Sequence, residues 1–275
     1  MKRLLLGCLA GVAMASLAAV AQAADEFIVV QSTTSTQNSG LYEYLLPIYE
    51  KKSGVEVRVV AVGTGQAIKN AMNGDGDVLL VHAKSAEEKF VADGFGVKRF
   101  DLMYNDFVVV GPAADPAGIA GSSDIVSALG TIAEGGNIFV SRGDDSGTHK
   151  KELSLWREAR IEPASASGGW YLESGSGMGA TLNIAVGMDG YTLTDRATWI
   201  SFGNKQDYDV VVEGDPNLFN QYGVILINPE VCPNANSTDG QIFIDWLLSD
   251  TGQDAISAHQ IDGQQLFFPN APGLD

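Results

Sequence analysis

The chain has 275 residues, an apolar fraction of 45% and a formal charge of −17 at pH 7. That charge argues against nucleic acid or an anionic membrane surface as a partner. It leaves small anions open, because surface charge is screened over about 10 Å at moderate salt.

Lys2 and Arg3 form a basic start, an apolar run covers residues 4–20, and Ala21-Gln22-Ala23 is a small-x-small site before Ala24. This is the pattern of a cleaved secretory signal over residues 1–23. Leu5-Leu6-Gly7-Cys8 faintly resembles a lipoprotein box, but it sits too close to the basic start to leave an apolar region before it. Cleavage takes away Lys2 and Arg3, so the formal charge goes from −17 to −19. It also leaves Cys232 as the sole cysteine, which excludes an internal disulfide, a cysteine-rich metal site and a redox pair. No later stretch is long and apolar enough to span a bilayer. The mature chain should therefore be soluble and not membrane-embedded.

Residues 26–30 read as a strand. Ser32-Thr33-Thr34-Ser35-Thr36 follows, a run of five hydroxyl residues where one would suffice to cap a helix. A helix is predicted over 39–52, with Leu41, Tyr44, Leu45, Ile48 and Tyr49 on one face and Gly54 as its stop. Next come a strand over 55–60, the loop Gly63-Thr64-Gly65, and a helix over 66–72. A strand over 78–81 and a helix over 85–94 complete the set. This alternation predicts a mostly parallel α/β sheet. Ligands of such sheets sit where strand ends turn into helices.

Residues 104–111 form a buried strand that crosses to a second lobe, with a break at 112–121. A second α/β set begins there: a helix over 123–129, a strand over 138–140, and a helix over 150–160. Residues 165–169 read as a flexible loop. Gly175, Gly177 and Gly179 only loosely match a dinucleotide fingerprint, since no strand of convincing length precedes them. A helix over 180–187, a short strand over 191–194 and an acidic turn over 207–216 follow. The strand over 222–228 is the expected return crossing. Helices over 241–248 and 252–259 should pack back on the first lobe.

The most informative stretch is Val140-Ser141-Arg142-Gly143-Asp144-Asp145-Ser146-Gly147-Thr148-His149-Lys150-Lys151. It is a loop that opens onto a helix. The first turn of a helix has backbone N–H groups without intrahelical partners and carries partial positive charge. Such a place receives anions. Ser146 and Thr148 add hydroxyl donors, Gly147 admits an anion close to the backbone, and Arg142 adds a permanent charge with a donor fork. The competing reading is an ordinary cap, with Arg142 paired to a surface carboxylate.

These pieces predict a hinged two-lobed α/β fold with two crossings, mixed sheets and flanking helices. Lobe I would comprise 24–106 plus about 229–275, and lobe II about 107–228. The cleft between them would be lined by Thr33, Thr34, Ser35 and Thr64 from the first lobe. Arg142, Ser146, Gly147 and Thr148 would line it from the second, with Arg142 the only cationic side chain in these loops.

Several stretches together resemble the periplasmic tungstate-binding proteins of ABC importers. They are the hydroxyl run 32–36, Ser39-Gly40-Leu41 with Leu45-Leu46-Pro47, and Val62-Gly63-Thr64-Gly65-Gln66-Ala67. Asp77-Val78-Leu79-Leu80-Val81-His82 and the loop 141–149 belong with them. Gly177-Met178-Gly179 with Thr181-Leu182, the run 191–196 and Tyr222-Gly223-Val224-Ile225 complete the set. Ala83-Lys84 departs from the Asp-Pro expected there, at a place expected to lie away from the cleft. The resemblance implies a type II periplasmic-binding-protein fold. It implies a monomer that binds tungstate or molybdate, needs no cofactor, and passes the anion to a permease and its ATPase. Carried over by position, Thr33, Thr64, Arg142 and Thr148 are ligand donors, joined by Thr34, Ser35, Ser146 and Gly147. Gly177 and Met178 would add backbone N–H groups.

The chemistry agrees with an all-donor cage, because a bare oxyanion accepts hydrogen bonds and donates none. Phosphate carries a proton near neutral pH and wants a carboxylate acceptor, for which Asp144 and Asp145 are the candidates. They read better as first-turn acids that favour the helix dipole or hold Arg142. A phosphate- or sulfate-binding protein of the same fold and an anion sensor are the other binding readings. A hydrolase built on Ser146, His149 and Asp144, or with His82 or His259 as base, is the enzymatic one; triads are usually assembled from separate loops.

Overall fold

The computed structural model describes residues 27–272. The predicted signal lies outside the described residues. The chain runs Phe27–Thr33 (β1), Thr34–Asn38 (α1), Leu41–Ser53 (α2), Glu56–Val62 (β2), Thr64–Met72 (α3) and Val78–Val81 (β3). Lys84–Ala92 (α4), Gly96–Pro112 (β4), Ile125–Glu134 (α5), Phe139–Ser141 (β5), Gly147–Glu158 (α6), Tyr171–Glu173 (β6) and Met178–Gly187 (α7) follow. Next come Thr192–Asp195 (β7), Arg196–Ser201 (α8), Tyr208–Val212 (β8), Phe219–Ile227 (β9), Ser237–Leu248 (α9) and Asp250–Ala258 (α10), before three two-residue strands. Among the described residues no helix is long and apolar enough to cross a membrane.

The first sheet is mixed rather than mostly parallel. β2, β1 and β3 are parallel neighbours, and β9 and β4 then continue the sheet antiparallel. β4 belongs to both lobes. Its first part, to Asp106, pairs with β9, while Phe107–Val110 pairs with β7 and Val109–Pro112 with β8. The chain thus changes lobe inside one continuous strand. β9 lies wholly in the first sheet, so the return crossing comes at its start, near Phe219, earlier than the run 222–228 suggests.

Strand side chains alternate between faces, and the central strands here bury both. Val78 and Leu80 of β3 join Ile28, Val30, Leu45 and Phe243 on one face, and Leu79 and Val81 join Ala67, Phe90 and Ile225 on the other. Past the crossing, Phe107 and Val109 of β4 enter a core with Ile125, Leu129 and Trp156, while Val108 and Val110 meet Met178, Leu182 and Trp199. Two-sided burial explains why these runs are continuously apolar. Each such side chain contributes about 1.5–3 kcal/mol. The acidic stretch 207–216 holds β8, whose Tyr208, Val211 and Val212 are buried, because charge at its ends hid a short apolar strand. The loop over 165–169 is partly ordered, its first residues falling in a 3-10 turn, Pro163–Ala166.

The second lobe buries the Glu152 carboxylate behind the site. Glu152 accepts hydrogen bonds from Ser141 Oγ (2.7 Å), Trp156 Nε1 (3.1 Å) and the Tyr171 hydroxyl (2.8 Å). It fixes the end of β5 just before Arg142. Burial pushes its carboxyl up from 4.5 to about 7, against the opposing pull of those three donors. A carboxyl raised in the folded state binds more protons folded than unfolded between the two values. Its contribution to stability therefore falls as pH rises through that window. Relative to Glu152→Gln, the wild-type protein should lose about 1–3 kcal/mol of stability between pH 5 and pH 7.5. Urea unfolding of both proteins across that range checks it; a difference that does not move with pH would mean the folded carboxyl is already ionised at pH 5.

Candidate functional site

The predicted loops all follow strand ends. Thr33 closes β1 and caps α1, accepting from Thr36 N at 3.3 Å. Gly63 lies between β2 and α3, which starts at Thr64. His82 directly follows β3. The loop after β5 leads to Ser146, which caps α6 by accepting from His149 N at 3.1 Å. Gly177 caps α7 without a side-chain bond.

The lobes meet where α3 and α6 begin. Gly147 N donates to Thr64 Oγ1 across the cleft at 2.8 Å. A Cβ on Gly147 would lie 3.0 Å from both Thr64 Oγ1 and His82 Cε1, so glycine is what lets the helix start approach. On the same side, Thr33 Oγ1 touches Ser35 Oγ at 3.3 Å, and Ser35 Oγ meets His82 Nε2 at 3.1 Å. Thr33, Ser35, Thr64, His82 and Gly147 thus form one buried group. Thr148, in the first turn of α6, is 1% exposed, and its hydroxyl has no hydrogen-bond partner among the described residues. A buried hydroxyl without a partner costs about 1–3 kcal/mol, so this one needs an explanation that the protein's own groups do not supply.

Arg142 is 2% exposed. Its Nε and Nη2 both donate to Asp144 Oδ2, the former at 3.2 Å, and Asp144 Oδ1 accepts from Ser146 N at 3.2 Å. Burial raises the Asp144 carboxyl, but its bonds from Ser146 and the Arg142 charge outweigh that and hold it below the usual range. Asp145 turns away to Lys150 and is exposed. Both acids precede α6, which has no acidic residue in its first turn, so neither is a first-turn acid. Asp144 holds Arg142 instead, one of the two roles expected. Gly143 and Asp145 take left-handed φ of 60° and 58° to make this turn.

The remaining predicted residues are less tightly joined. Thr34 is half-buried at the start of α1. Ser146 is buried, but its hydroxyl serves the cap. Gly177 is exposed, Met178 places its side chain in the core, and α7 lies against α1. Two features depart from the sequence reading. Ala83 and Lys84 do not lie away from the cleft: with His82 and Gly147 they line a cavity of about 750 Å³ beside it. Lys150 and Lys151 line the same cavity, so Arg142 is not the only cation near the site.

Sequence reasoning missed a polar chain behind Ser35. His82 Nδ1 lies 3.1 Å from Asn220 Oδ1, Asn220 Nδ2 donates to Asn105 Oδ1 at 2.7 Å, and Asn105 Nδ2 reaches Asp195 Oδ1 at 3.5 Å. Asparagine is disfavoured in strands, so Asn105 and Asn220 inside apolar strand runs were the available signal. Burial, aided by the Arg142 charge, pushes His82 down to about 4 although the Asn220 bond opposes it.

A PBP superfamily domain model matches residues 18–251. The tungstate-binding protein TupA of Peptoclostridium acidaminophilum is 50% identical over 248 residues, covering 89% of this chain and 86% of that one. The chain belongs to the PBP superfamily and, within it, to the TupA family. Among solved structures it is similar to the tungstate-binding protein TupA of Desulfovibrio alaskensis G20, with TM-score 0.77 and 46% identity over 90% of this chain and 100% of that one. It is also similar to the tungstate ABC transporter structure from Geobacter sulfurreducens, with TM-score 0.78 and 48% identity over 86% and 100%. The type II binding-protein fold follows from this membership.

Gly147→Ala tests the inter-lobe contact. Gly147 opens α6 outside the left-handed region, so its backbone accepts alanine and the second lobe should not lose stability. The added methyl should nevertheless hold Thr64 and His82 off by a few tenths of an ångström. Anion affinity is expected to fall about tenfold, about 1.4 kcal/mol, while the urea midpoint of the free protein stays put. Calorimetry and urea unfolding on one preparation read both; unchanged affinity would mean the ligand-bound lobes do not approach this closely.

Proposed function

We propose that this protein captures tungstate, and molybdate with it, in the periplasm and delivers the anion as a monomer to an ABC permease and its ATPase. Kinship to TupA proteins supports the ligand class. One observation of the site supports it further: the partnerless Thr148 hydroxyl beside the Gly147–Thr64 contact, at the junction of two helix N-termini. Thr33, Thr34, Ser35 and Thr64 would donate from one lobe. Arg142, Gly147 and Thr148 would donate from the other, with the backbone at Gly177 and Met178 and the N–H groups behind the Ser146 cap completing the cage. The one carboxylate bound to Arg142, Asp144, is taken up by Arg142 and Ser146 N, which argues against its serving as the acceptor a protonated phosphate needs.

The protein works by binding, not turnover. Ser35, His82 and Asn220 do stand in nucleophile–base–orienter order, but its relatives are named as binding and transport proteins. The Ser146–His149 pair is no triad: the His149 ring accepts from Asp145 N at 3.1 Å, and Ser146 Oγ meets the His149 backbone rather than its ring.

Arg142 supplies the formal charge that a dianion taken from water requires. Charge-assisted hydrogen bonds contribute about 1.5–3 kcal/mol each, so Arg142→Ala should weaken tungstate binding at least about tenfold. Arg142→Lys should fall between, because lysine keeps charge without the fork. Calorimetry of the three proteins with tungstate, molybdate, sulfate and phosphate checks this; preference for phosphate, or full affinity in Arg142→Ala, would contradict the assignment.

Closure should follow from the anion's preference for the joined lobes. Small-angle scattering of the free protein should show a larger radius of gyration than the tungstate complex. An unchanged radius, with binding measured in the same sample, would rule out a hinge.

A further inference from the structure

The polar chain behind the cleft has a direction. Asp195 caps α8, with Thr198 N (2.9 Å) and Thr198 Oγ1 (2.6 Å) donating to its two oxygens. Its Oδ1 also accepts from Asn105 Nδ2. Asn105 must then present its oxygen to Asn220, and Asn220 donates to it. Asn220 is left with its oxygen toward His82 Nδ1. That oxygen only accepts, so Nδ1 carries the hydrogen. Neutral His82 therefore has a bare Nε2, which must accept from Ser35 Oγ at 3.1 Å.

A serine hydroxyl has one proton to donate. In this arrangement Ser35 gives it to His82 and turns lone pairs elsewhere. An oxyanion needs donors, so it and His82 compete for that proton. A protonated imidazole ends the competition: Nε2–H donates to Ser35 Oγ, and the Ser35 proton is released toward the anion. We propose that His82 is a proton-linked positioning residue, taking one proton from solvent when the oxyanion binds and so converting Ser35 from acceptor to donor. This rests on the oxyanion reading of the site given above.

The groups around His82 allow it. Tyr222 stacks on the ring with centroids 4.7 Å apart, and Phe107 lies at 6.4 Å. Gly147 of α6 faces Cε1. Asp195 stands at the far end of the amide pair, and Lys84, Lys150, Lys151 and Asp101 line the cavity on the other side. In the free protein burial and the Arg142 charge hold His82 neutral. A dianion one hydroxyl away brings two negative charges against the single positive charge of Arg142, and favours the imidazolium. The sign follows: His82 is raised in the complex relative to the free protein, so affinity rises as pH falls through the bound-state value. The limit is tenfold per pH unit for one proton.

The chain has three histidines, so each ring is resolvable by long-range 1H–15N correlation on the mature protein. At pH 6.5 free His82 should be the neutral Nδ1–H tautomer. With dilute tungstate both nitrogens should be protonated. Calorimetry in buffers of different ionisation heat should show uptake of up to one proton per anion, lost in His82→Gln. Ser35→Ala, which leaves the ring and the amide chain in place, removes the hydroxyl whose proton is released and should bind tungstate more weakly. Tungstate binding to the wild-type protein with His82 still neutral, uptake that persists in His82→Gln, or full affinity in Ser35→Ala would overturn the proposal. Absence of tungstate binding altogether would instead overturn the oxyanion reading, and this inference with it.

Discussion

A guanidinium buried to 2% exposure must be paired, and much of the second lobe is arranged to meet that requirement for Arg142. Asp144 lies two residues on and can reach back only if the chain turns sharply between them. Gly143 makes that turn at φ 60°, packed so closely that a Cβ would lie 2.9 Å from Glu173 Cβ. Glu152 anchors Ser141 on the near side, and Ser174 Oγ donates to the Arg142 carbonyl at 3.2 Å. Ser146 fixes the far side by capping α6 while its N–H holds the other oxygen of Asp144. The Arg142–Ser146 loop is therefore tied at both ends. A loop so held keeps donors in place before the ligand arrives, and preorganised donors lose little entropy on binding.

The pairing also bears on selectivity. Both donors that reach Asp144 come from one edge of the guanidinium, Nε and Nη2. The carboxylate that might have accepted a proton from hydrogen phosphate is thus occupied on one oxygen by Arg142 and on the other by Ser146 N. The site is left rich in donors and short of acceptors, which suits a fully deprotonated oxyanion. Ser35 is the exception, and its state depends on His82.

Much of this was legible in the sequence, for identifiable reasons. Thr33, Thr64 and Gly147 sit at strand-to-helix turns, where local patterning and the rule that ligands gather at strand ends act together. The core strands were legible because two-sided burial leaves continuous apolar runs, as at 78–81 and 107–110. What was not legible depends on contacts between distant segments. Asp106 and Phe107 are neighbours in one strand yet pair into different sheets. The run 219–227 returns to the first lobe before its continuous apolar stretch begins at Tyr222. His82 and Asn220 are 138 residues apart, and nothing local tells an asparagine in a strand that its partner is a histidine. Ala83-Lys84 was expected away from the cleft, but together with Gly147, Lys150 and Lys151 of the second lobe it lines the cavity.

That cavity bears on how a protein of formal charge −17 admits a dianion at all. Distant carboxylates are screened beyond about 10 Å at moderate salt, so the repulsion that counts comes from the walls of the approach. Those walls carry Lys84 from lobe I and Lys150 and Lys151 from lobe II, against one acid, Asp101. The lysines differ in what they offer. Lys150 is committed to Asp145 at the loop that precedes its own helix. Lys151 is partly buried, and burial lowers its ammonium despite the pull of Glu158 and Asp215. Asp101 is itself paired with Arg99, which also holds the buried Glu87, so its charge is largely answered from behind. The approach is therefore locally positive inside an acidic molecule. Because a few nearby cations act at distances over which the many carboxylates of the outer surface are screened, net charge is a poor guide to what this cleft admits.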